Sequence, residues 1–371
     1  MKRIAIDMRP LLEARRAGVG TYAAEMTRAL VARGGDRYAL FSNAASGAIP
    51  ADIPPEGPFC EHRFSHLPNR LLNTGFRVGY PRLESLIGPV DALWLPNMNF
   101  VATHAPTAVT VHDLSFLRYP RFFTAKQRLW HAAIGFRGML ERTAAIIAVS
   151  SHTKDDLMDL CGVPASRISV APPAAHARYA PADADTVARV RATYGITREY
   201  FLFLGALEPR KNVEGLIDAF DLARTDADLV IAGGNGWLCE GIYARAARSK
   251  KRDRIRFIGY VQENDKPALY TGALAFAYPS FYEGFGMPPL EAMACGTPVV
   301  ASRAASLGEV VADAGLLADP YDAAEIAAAM DAAATDSGLR AMLRERGFAR
   351  AKAYSWEQSA AVVAEVLHTI S

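Results

Sequence analysis

The chain of 371 residues is longer than one ordinary hydrophobic core, so two domains are expected. Its 51% hydrophobic and 22% charged residues are typical of a folded protein and exclude a disordered chain. The formal net charge is +2, but residues 1–171 carry 20 Lys and Arg against 14 Asp and Glu, whereas residues 172–371 carry 21 against 25. The basic first half favours an anionic partner, a phospholipid surface or a phosphorylated substrate, over nucleic acid.

The four cysteines lie far apart, without a C-x-x-C pair or a histidine at metal-ligand spacing. This pattern argues against a disulfide framework or a structural zinc site and for a reducing compartment. The chain starts MKRIAIDMRP, in which charges interrupt the apolar run before it reaches the length of a signal peptide, and no stretch has eighteen consecutive apolar residues. We therefore expect a cytoplasmic protein that does not span a membrane.

Short apolar runs alternate with longer stretches of helical periodicity, a pattern typical of parallel sheets covered by helices. The first half contains the predicted strands RIAID, RYALF, DALWL, TAVTVH and AIIAVS, with helices over residues 20–33 and 126–142. The second half contains YFLFLGA, DLVIAGG, RIRFIGY, ALAFAYPS, TPVVAS and AGLLAD. The sequence therefore predicts an α/β protein with two Rossmann-like, doubly wound parallel-sheet domains, whose ligands bind beyond the carboxyl ends of the strands in the cleft between the domains.

The predicted domains are residues 1–171 and residues 200–354. The segment between them, residues 172–199, is rich in proline and alanine and poor in large apolar side chains, which indicates a linker. The last stretch, residues 355–371, has the periodicity of one amphipathic helix.

The segment EARRAGVGTYAAEM places Gly18 and Gly20 before a helix, which raises the alternative of a dinucleotide-binding turn. About nine residues separate the first strand from Gly18, whereas that turn needs its first glycine directly after the strand. The second strand also ends at Asn43, where an acid would hold the cofactor ribose. An NAD-dependent oxidoreductase is therefore disfavoured, and a flexible loop before a helix is the plain alternative.

A glycine-rich loop and a helix start follow the strand ALAFAYPS, in YEGFGMPPLEAMACGTPVV. The loop holds Glu283, and Pro288 and Pro289 suit the first turn of a helix, in which Glu291 is expected to lie. Backbone N–H groups at such a start bind anions such as a diphosphate, whereas a carboxylate repels phosphate and suits two ribose hydroxyls. The pattern predicts a nucleotide diphosphate with its sugar end toward Glu283; the alternative is that Glu291 only complements the helix dipole.

Arg210 and Lys211 follow the strand YFLFLGA directly before the next helix. Paired cations at the carboxyl end of a strand suit a departing diphosphate when no metal is present. An exposed Arg-Lys pair alone is usually a solvated turn. Together with the glutamate loop, the pair favours diphosphate binding.

At this point the sequence resembles the retaining GT-B-fold glycosyltransferases of the group 1 family, glycosyltransferase family four, over nearly its whole length. The motifs that carry the resemblance are AGVGTY, TVHDLSFLRYP, AVSSHTKDDL, GALEPRKN, IAGGNGW, IRFIGYV and YPSFYEGFGMPPLEAMACGTPVVAS. Seven residues separate the two glutamates of the last motif, the spacing by which the family is recognised. The resemblance implies two domains that face each other across a cleft, with helix 355–371 packing back on the first domain.

Carried over by position, the resemblance implies that Glu283 contacts the donor hexose and stabilises charge at the anomeric centre. Backbone N–H groups of Phe285, Gly286 and Met287 would bind the sugar hydroxyls or the distal phosphate. Glu291 would hold the ribose.

The resemblance also implies that Lys211, and after it Arg210, holds the donor diphosphate. Many members have an arginine directly after the glycine that ends this strand, but here that position is Ala206. The nucleobase is expected near Val261 and Glu263.

In the first domain, the resemblance implies that His112 faces the transferred sugar. Gly18 and Gly20 would let the chain pass close to the donor phosphate and the acceptor. The residues expected on the acceptor side are Arg15, Arg16 and Asp113.

The implied reaction is transfer of a hexosyl unit from a nucleotide sugar with retention of anomeric configuration, through an oxocarbenium-like transition state. Stabilisation of the departing diphosphate by Lys211 and Arg210 then matters more than a strong base. No metal and no cofactor are expected: Asp183-Ala-Asp185 lies in the linker, and Asp226-Ala-Asp228 precedes its strand instead of following it. A non-catalytic nucleotide-sugar binding protein is disfavoured because the reactive side chains are all present.

Glu263 could accept hydrogen bonds from N1–H and N2–H₂ of guanine, which uracil and thymine cannot donate. The alternative is an acid in the first turn of a helix. Since the closest resemblance is to bacterial mannosyltransferases of O-antigen and exopolysaccharide assembly, GDP-mannose is the favoured donor. UDP-glucose, dTDP-rhamnose and GDP-rhamnose stay open.

The expected acceptor is a saccharide or a polyprenyl-diphosphate-linked saccharide in surface polysaccharide synthesis. Residues 118–142 hold six Arg or Lys, one Glu and five aromatic residues. This basic, aromatic segment suits contact with an anionic membrane or a lipid diphosphate, at the inner face of the cytoplasmic membrane. The alternative is an ordinary half-buried helix.

Overall fold

A computed structural model of the chain describes residues 1–12, 18–43, 53–54 and 56–371. The chain forms two compact units, each built on its own parallel sheet. The first unit comprises residues 1–114, 129–173 and 355–371, and the second comprises residues 115–128 and 174–354.

The described part of the first unit contains a seven-stranded parallel sheet. Its strands are β1 (Arg3–Asp7), β2 (Arg37–Asn43), β3 (Cys60–Ser65), β4 (Ala92–Leu95), β5 (Thr107–Val111), β6 (Ala145–Ala148) and β7 (Ile168–Val170), in the spatial order β3-β2-β1-β4-β5-β6-β7. The two edge strands, β3 and β7, were not predicted, because one has the mixed sequence CEHRFS and the other has only three residues. Edge strands need no continuous apolar run, so their sequences carry a weak signal.

The described part of the second unit contains a six-stranded parallel sheet. Its strands are β8 (Tyr200–Leu204), β9 (Asp228–Ala232), β10 (Ile255–Gly259), β11 (Ala275–Tyr278), β12 (Val299–Ser302) and β13 (Leu316–Ala318), in the spatial order β10-β9-β8-β11-β12-β13. All residues of β8, β9, β11 and β12 are buried, as expected for strands covered by helices on both faces. The prediction of two Rossmann-like, doubly wound sheets is confirmed.

The helices cover the faces of these sheets. They are α1 (Gly18–Arg33), α2 (Asn69–Val78), α3 (Leu83–Ile87), α4 (Ser115–Arg118), α5 (Ala125–Ile134), α6 (Phe136–Arg142), α7 (Ser151–Cys161), α8 (Ala184–Thr193), α9 (Val213–Leu222), α10 (Glu240–Ala247), α11 (Lys266–Thr271), α12 (Met287–Ala294), α13 (Ser306–Val311), α14 (Ala323–Thr335), α15 (Ser337–Lys352) and α16 (Trp356–Ile370). None of the described helices combines the length and the apolar character that crossing a membrane requires.

The last helix, α16, lies in the first unit and packs against α1. Its Val363 and Leu367 are fully buried, and the ring of Trp356 contacts the ring of Tyr22 at 5.7 Å between centroids. The start of α16 is fixed by Ser355, whose side chain accepts a hydrogen bond from the N–H of Gln358. The end of the chain therefore contributes to the core of the first unit.

Residues 172–199, predicted as a linker, instead contain helix α8 within the second unit. The side chain of Asp183 caps this helix by accepting from the N–H of Thr186, and Val190 is fully buried. The alanine-rich composition of this segment predicts a linker, but alanine also favours helices, and α8 needs few large apolar side chains. The Asp183-Ala-Asp185 sequence thus serves helix capping.

Residues 115–128 also differ from the sequence prediction, because they belong to the second unit and not to the first. The ring of Phe122 stacks on Phe281 at 5.5 Å, and the ring of Phe123 stacks on Trp237 at 5.8 Å. The indole N–H of Trp237 donates to the carbonyl oxygen of Phe122 over 2.6 Å. Such long-range ring packing leaves no local pattern in the sequence.

The helix predicted over residues 126–142 is two helices, α5 and α6, separated by Gly135, which has φ +63°.

Candidate active site

The chain order of the second sheet reverses between β8 and β11, which is the usual place for a ligand site in a doubly wound sheet. Arg210 and Lys211 follow β8 in a 3-10 turn, and Glu283 follows β11. The Nζ of Lys211 lies 2.6 Å from Glu283 Oε1, and the Nη1 of Arg210 lies 2.6 Å from Glu283 Oε2. Arg210 also donates to Glu208 Oε1 over 2.7 Å. The structure therefore brings together three residues that the sequence predicted to act together.

This ion cluster is buried, with Glu283 6% and Lys211 8% exposed. Burial alone would raise the pKa of Glu283, but the charges of Arg210 and Lys211 outweigh it and lower this pKa to about 2. Burial and the Arg210 charge lower the pKa of Lys211, while Glu283 and Glu208 oppose that shift. The cluster pairs two basic side chains, Arg210 and Lys211, with two acidic ones, Glu208 and Glu283.

Tyr278, the last residue of β11, joins the cluster and was missed by the sequence analysis. The Nζ of Lys211 donates to the Tyr278 hydroxyl over 2.5 Å and lies 5.0 Å from the centre of its ring. Tyr278 is fully buried. A tyrosine that ends a buried strand at the point of chain reversal is the signal that could have found it, since its hydroxyl there needs a polar partner.

The loop after Glu283 is held in place by α13. The hydroxyl of Ser306 contacts the carbonyl oxygens of Glu283 and Phe285, each at 2.7 Å. Gly286 has φ +108°, and a Cβ on it would lie 2.5 Å from the side chain of Leu307, so only glycine fits this turn. Among the described residues, none accepts a hydrogen bond from the backbone N–H groups at the start of α12, namely those of Phe285, Gly286 and Met287. These N–H groups can serve a ligand.

Glu291 lies further along α12 than predicted. The helix begins at Met287, so Glu291 lies beyond the first turn and is not placed to complement the helix dipole. The hydroxyl of Tyr270 donates to Glu291 Oε2 over 3.0 Å. Burial raises the pKa of Glu291, while the charge of Lys266 and hydrogen bonds from Tyr270 and Tyr179 oppose the rise. Two tyrosines that the sequence analysis missed therefore orient this carboxylate.

Val261 and Glu263 lie between β10 and α11. Val261 is buried, whereas Glu263 is exposed and pairs with Lys266. Helix α11 begins at Lys266, so Glu263 precedes the helix and does not lie in its first turn. Arg178 lies 3.9 Å from the other carboxylate oxygen of Glu263.

In the first unit, His112 directly follows β5. Its Nε2 lies 2.7 Å from the carbonyl oxygen of Pro96, so Nε2 carries the proton and Nδ1 is the acceptor of the neutral ring. The Tyr22 ring meets the imidazole edge-on at 5.0 Å. Burial lowers the pKa of His112, although the Pro96 carbonyl and the Asp113 carboxylate oppose this shift. His112 is therefore neutral at physiological pH.

The predicted glycine loop is helical where the structure describes it. Gly18 and Gly20 lie in the first turn of α1, which begins two residues earlier than predicted. No described atom lies within 4 Å of a Cβ placed on Gly18, so packing does not require glycine there. Arg15 and Arg16 lie outside the described residues. Asp113 is half-buried beside His112 and also acts on the pKa of His131.

Among the residues that the structure describes, no three His, Cys, Asp or Glu side chains form a group that could hold a metal ion. Asp228, part of the second D-x-D sequence, begins β9 and binds Arg256 over 2.7 Å. The four cysteines are all free thiols.

Comparison with known proteins gives matches over both halves of the chain. The family model for glycosyl transferases group 1 matches residues 189–350, and that for glycosyltransferase family 4 matches residues 16–178. The chain is 34% identical to the O-antigen chain mannosyltransferase B of Escherichia coli over 355 residues, 92% of this chain and 93% of that protein.

Solved structures share the fold over the full chain. Sucrose-phosphate synthase from Thermosynechococcus elongatus has a TM-score of 0.77 and 20% identity, covering 100% of this chain and 99% of that one. Anabaena HepE, in complex with UDP and glucose, has a TM-score of 0.74 and 18% identity, covering 100% of both chains.

Proposed function

The chain belongs to the group 1 glycosyltransferases, glycosyltransferase family four, as its sequence motifs predicted, and from this membership we propose that it transfers a mannosyl unit in O-antigen synthesis. The proposed donor is GDP-mannose. The mannosyl assignment is supported by the E. coli mannosyltransferase to which the chain is 34% identical over nearly its whole length.

The observation that carries the proposal is the ion cluster of Glu283, Arg210 and Lys211 at the point of chain reversal. A departing nucleoside diphosphate gains negative charge, and two preorganised cations in a buried site stabilise that charge well. The helix start at Met287 lies in the same unit and supplies backbone N–H groups for the sugar hydroxyls or the distal phosphate. Glu291, oriented by Tyr270, suits the two hydroxyls of a ribose.

A guanine base is supported by the exposed carboxylate of Glu263 near the buried Val261. Its pairing with Lys266 is a surface pair of small energy, so the carboxylate can turn to a guanine N1–H and N2–H₂ at little cost. UDP-glucose, dTDP-rhamnose and GDP-rhamnose are the alternative donors.

The experiment that tests this function is a donor panel. The purified protein is incubated with each of the four nucleotide sugars and a saccharide acceptor, and the released nucleoside diphosphate is measured. We expect release of GDP from GDP-mannose at a rate well above the other three. Faster release of UDP from UDP-glucose would contradict the guanine assignment while leaving the glycosyltransferase activity intact.

We further propose that the anomeric configuration is retained and that no metal is needed. The support for metal independence is that Arg210 and Lys211 supply the positive charge that a divalent ion supplies elsewhere. An NMR spectrum of the product would show the same anomeric configuration as the donor, and activity would survive EDTA. An inverted product, or strict dependence on Mn²⁺, would contradict the respective proposal.

The proposed acceptor is a saccharide or a lipid-linked saccharide, and the reaction is placed in the cytoplasm. Free thiols at four separated positions support a reducing compartment.

The neutral His112 is proposed to accept a hydrogen bond from the transferred sugar through Nδ1. His112→Ala should then lower kcat while the Kd for GDP stays unchanged; a matched loss of GDP binding would contradict this role.

A further inference from the structure

Helix α2 and its flanks expose large apolar side chains on the surface of the first unit. Leu71, Val78 and Tyr80 are 65%, 77% and 77% exposed. Leu71 and Val78 are seven positions apart, so they lie on the same side of the helix. The name α2 face is used here for seven residues: Leu67, Arg70, Leu71, Arg77, Val78, Tyr80 and Arg82.

The opposite side of α2 is firmly packed, so the exposed side chains are held in place. Leu72 and Phe76 are buried, and the Phe76 ring contacts the ring of Phe41 at 6.4 Å. A Cβ on Gly75 would lie 2.4 Å from the carbonyl oxygen of Tyr80, so the chain after the helix turns closely over a glycine. The exposed apolar residues are therefore part of an ordered surface.

The charge of this region is positive. Residues 62–83 contain four arginines and no Asp or Glu; Arg63 pairs with Glu61, which leaves Arg70, Arg77 and Arg82 for the α2 face. The next two acids along the chain, Glu84 and Asp91, are used within the protein: Glu84 accepts from Thr103 and from two backbone N–H groups, and Asp91 accepts from the N–H of Arg3. Neither of them is available to neutralise the α2 face.

We propose that the α2 face docks on an anionic lipid bilayer. Arginines beside exposed leucine, valine and tyrosine match the two layers of a membrane surface, phosphate groups outside and acyl chains beneath. Nucleic acid or an acidic protein would use the arginines but would leave Leu71 and Val78 without an apolar environment. The inference does not depend on the identity of the donor.

This surface differs from residues 118–142, the segment that the sequence indicated as a candidate for membrane contact. There the rings of Tyr119 and Phe122 stack on each other at 5.3 Å, and Phe122 and Phe136 are buried. Its aromatic residues with described side chains are thus used for internal packing. Lys126, Arg128 and Leu129 remain exposed in that segment and provide matched control positions.

The test is sedimentation of the full-length protein with vesicles of phosphatidylcholine, with and without phosphatidylglycerol, and without nucleotide sugar. The double variant Arg70→Gln/Arg82→Gln should bind anionic vesicles about thirtyfold more weakly than wild type, since each cation near the surface contributes about fivefold. Leu71→Ser/Val78→Ser should weaken binding at least about tenfold. The controls Lys126→Gln/Arg128→Gln and Leu129→Ser should change binding less than about twofold.

The thermal transition of each variant checks its folding. The rate of GDP release with a water-soluble acceptor checks its catalysis, and the α2 variants should leave this rate unchanged. Failure of the wild-type protein to bind anionic vesicles would overturn the proposal. Loss of binding in the 126/128 variant but not in the α2 variants would overturn it too, and would assign the contact to the other segment. Light scattering shows whether the wild-type protein forms a dimer. A dimer that Leu71→Ser/Val78→Ser abolishes would overturn the proposal and show that the α2 face binds a second copy of the chain. Donor hydrolysis assays report separately on the proposed function.

Discussion

Glu283 binds the same two cations that are proposed to bind the donor diphosphate. It pairs with both Arg210 and Lys211, and those cations are also the proposed partners of the donor diphosphate. The carboxylate and the diphosphate therefore compete for the same positive charges. Because Lys211 is buried and Arg210 is largely shielded from solvent, each of these pairings is stronger than it would be in water.

Glu283→Gln separates the proposed catalytic role of this residue from its pairing with the two cations. We expect kcat to fall about 100-fold or more, the scale for loss of one preorganised charge contact at the reacting centre. The Kd for GDP should stay the same or decrease, because the glutamine no longer competes for the cations. The measurements are steady-state kinetics and calorimetric titration with GDP.

Two companion variants make this test specific. Glu208→Gln removes an ion pair of Arg210 while both cations keep their ion pairs with Glu283, so its kcat loss should be smaller. Lys211→Ala should lower kcat about 100-fold and weaken GDP binding as well. A Glu283→Gln enzyme with kcat within about tenfold of wild type would show that Glu283 has no direct role at the anomeric centre.

Tyr270 is expected to set the acid limb of the pH profile through its hydrogen bond to Glu291. Its hydrogen bond lowers the Glu291 pKa, which burial raises. The proposed ribose contact needs the carboxylate form, so donor kcat/KM should be retained above this pKa and lost as the pH falls through it. Tyr270→Phe removes an opposing influence, raises the pKa further and should move the acid limb to higher pH, with KM for the donor about fivefold higher at pH 7.5.

The control for Tyr270 is Tyr243→Phe, which removes the hydroxyl that donates to Asn235. Its pH profile should match that of wild type. An unshifted acid limb in Tyr270→Phe would mean that Glu291 does not titrate in the donor site.

At the scale of elements, segment 115–128 stabilises the second unit from a distant part of the sequence. Phe122 is 7% exposed and stacks on Phe281, two residues before Glu283. Phe122→Ala should lower the stability of the second unit by about 3 to 5 kcal/mol, since it removes a buried aromatic ring and leaves a cavity. Differential scanning calorimetry should show one transition shifted to lower temperature.

The matched control for Phe122 is Phe59→Ala, because Phe59 is 41% exposed. Its transition temperatures should change little. Equal shifts in both variants would indicate that the stacking of segment 115–128 contributes nothing beyond ordinary surface contacts.

The sequence predicted the elements that local pattern encodes and missed those that packing selects. Apolar runs located every strand of the second sheet, and the position directly after such a run identified both the Arg210-Lys211 pair and Glu283. The sequence analysis did not identify Tyr278 and Tyr270 as site residues, because the sequence does not show that their hydroxyls contact Lys211 and Glu291. The membership of α8 and segment 115–128 in the second unit likewise depends on contacts between residues far apart in the chain.

At the scale of the whole molecule, the chain leaves and re-enters each unit. The proposed donor residues all lie in the second unit, whereas α16 lies in the first. Leu367→Ala should destabilise the first unit by about 2 to 5 kcal/mol, since Leu367 is fully buried, and should leave the Kd for GDP unchanged. Calorimetry and titration with GDP measure the two effects.

The half-exposed Leu222 of α9 is the control for Leu367, and Leu222→Ala should move neither quantity. Weaker GDP binding in Leu367→Ala would show that the first unit helps to form the nucleotide site.

The position of α16 also bears on the order of events during protein synthesis. Domains usually fold as they emerge from the ribosome, the N-terminal one first. Here the second unit has its full sequence once residue 354 has emerged, but the first unit still lacks the helix that buries Val363 and Leu367. The unit that contains residues 1–114 is therefore completed after the second unit, and until α16 has emerged its incomplete core exposes apolar surface that a chaperone can bind.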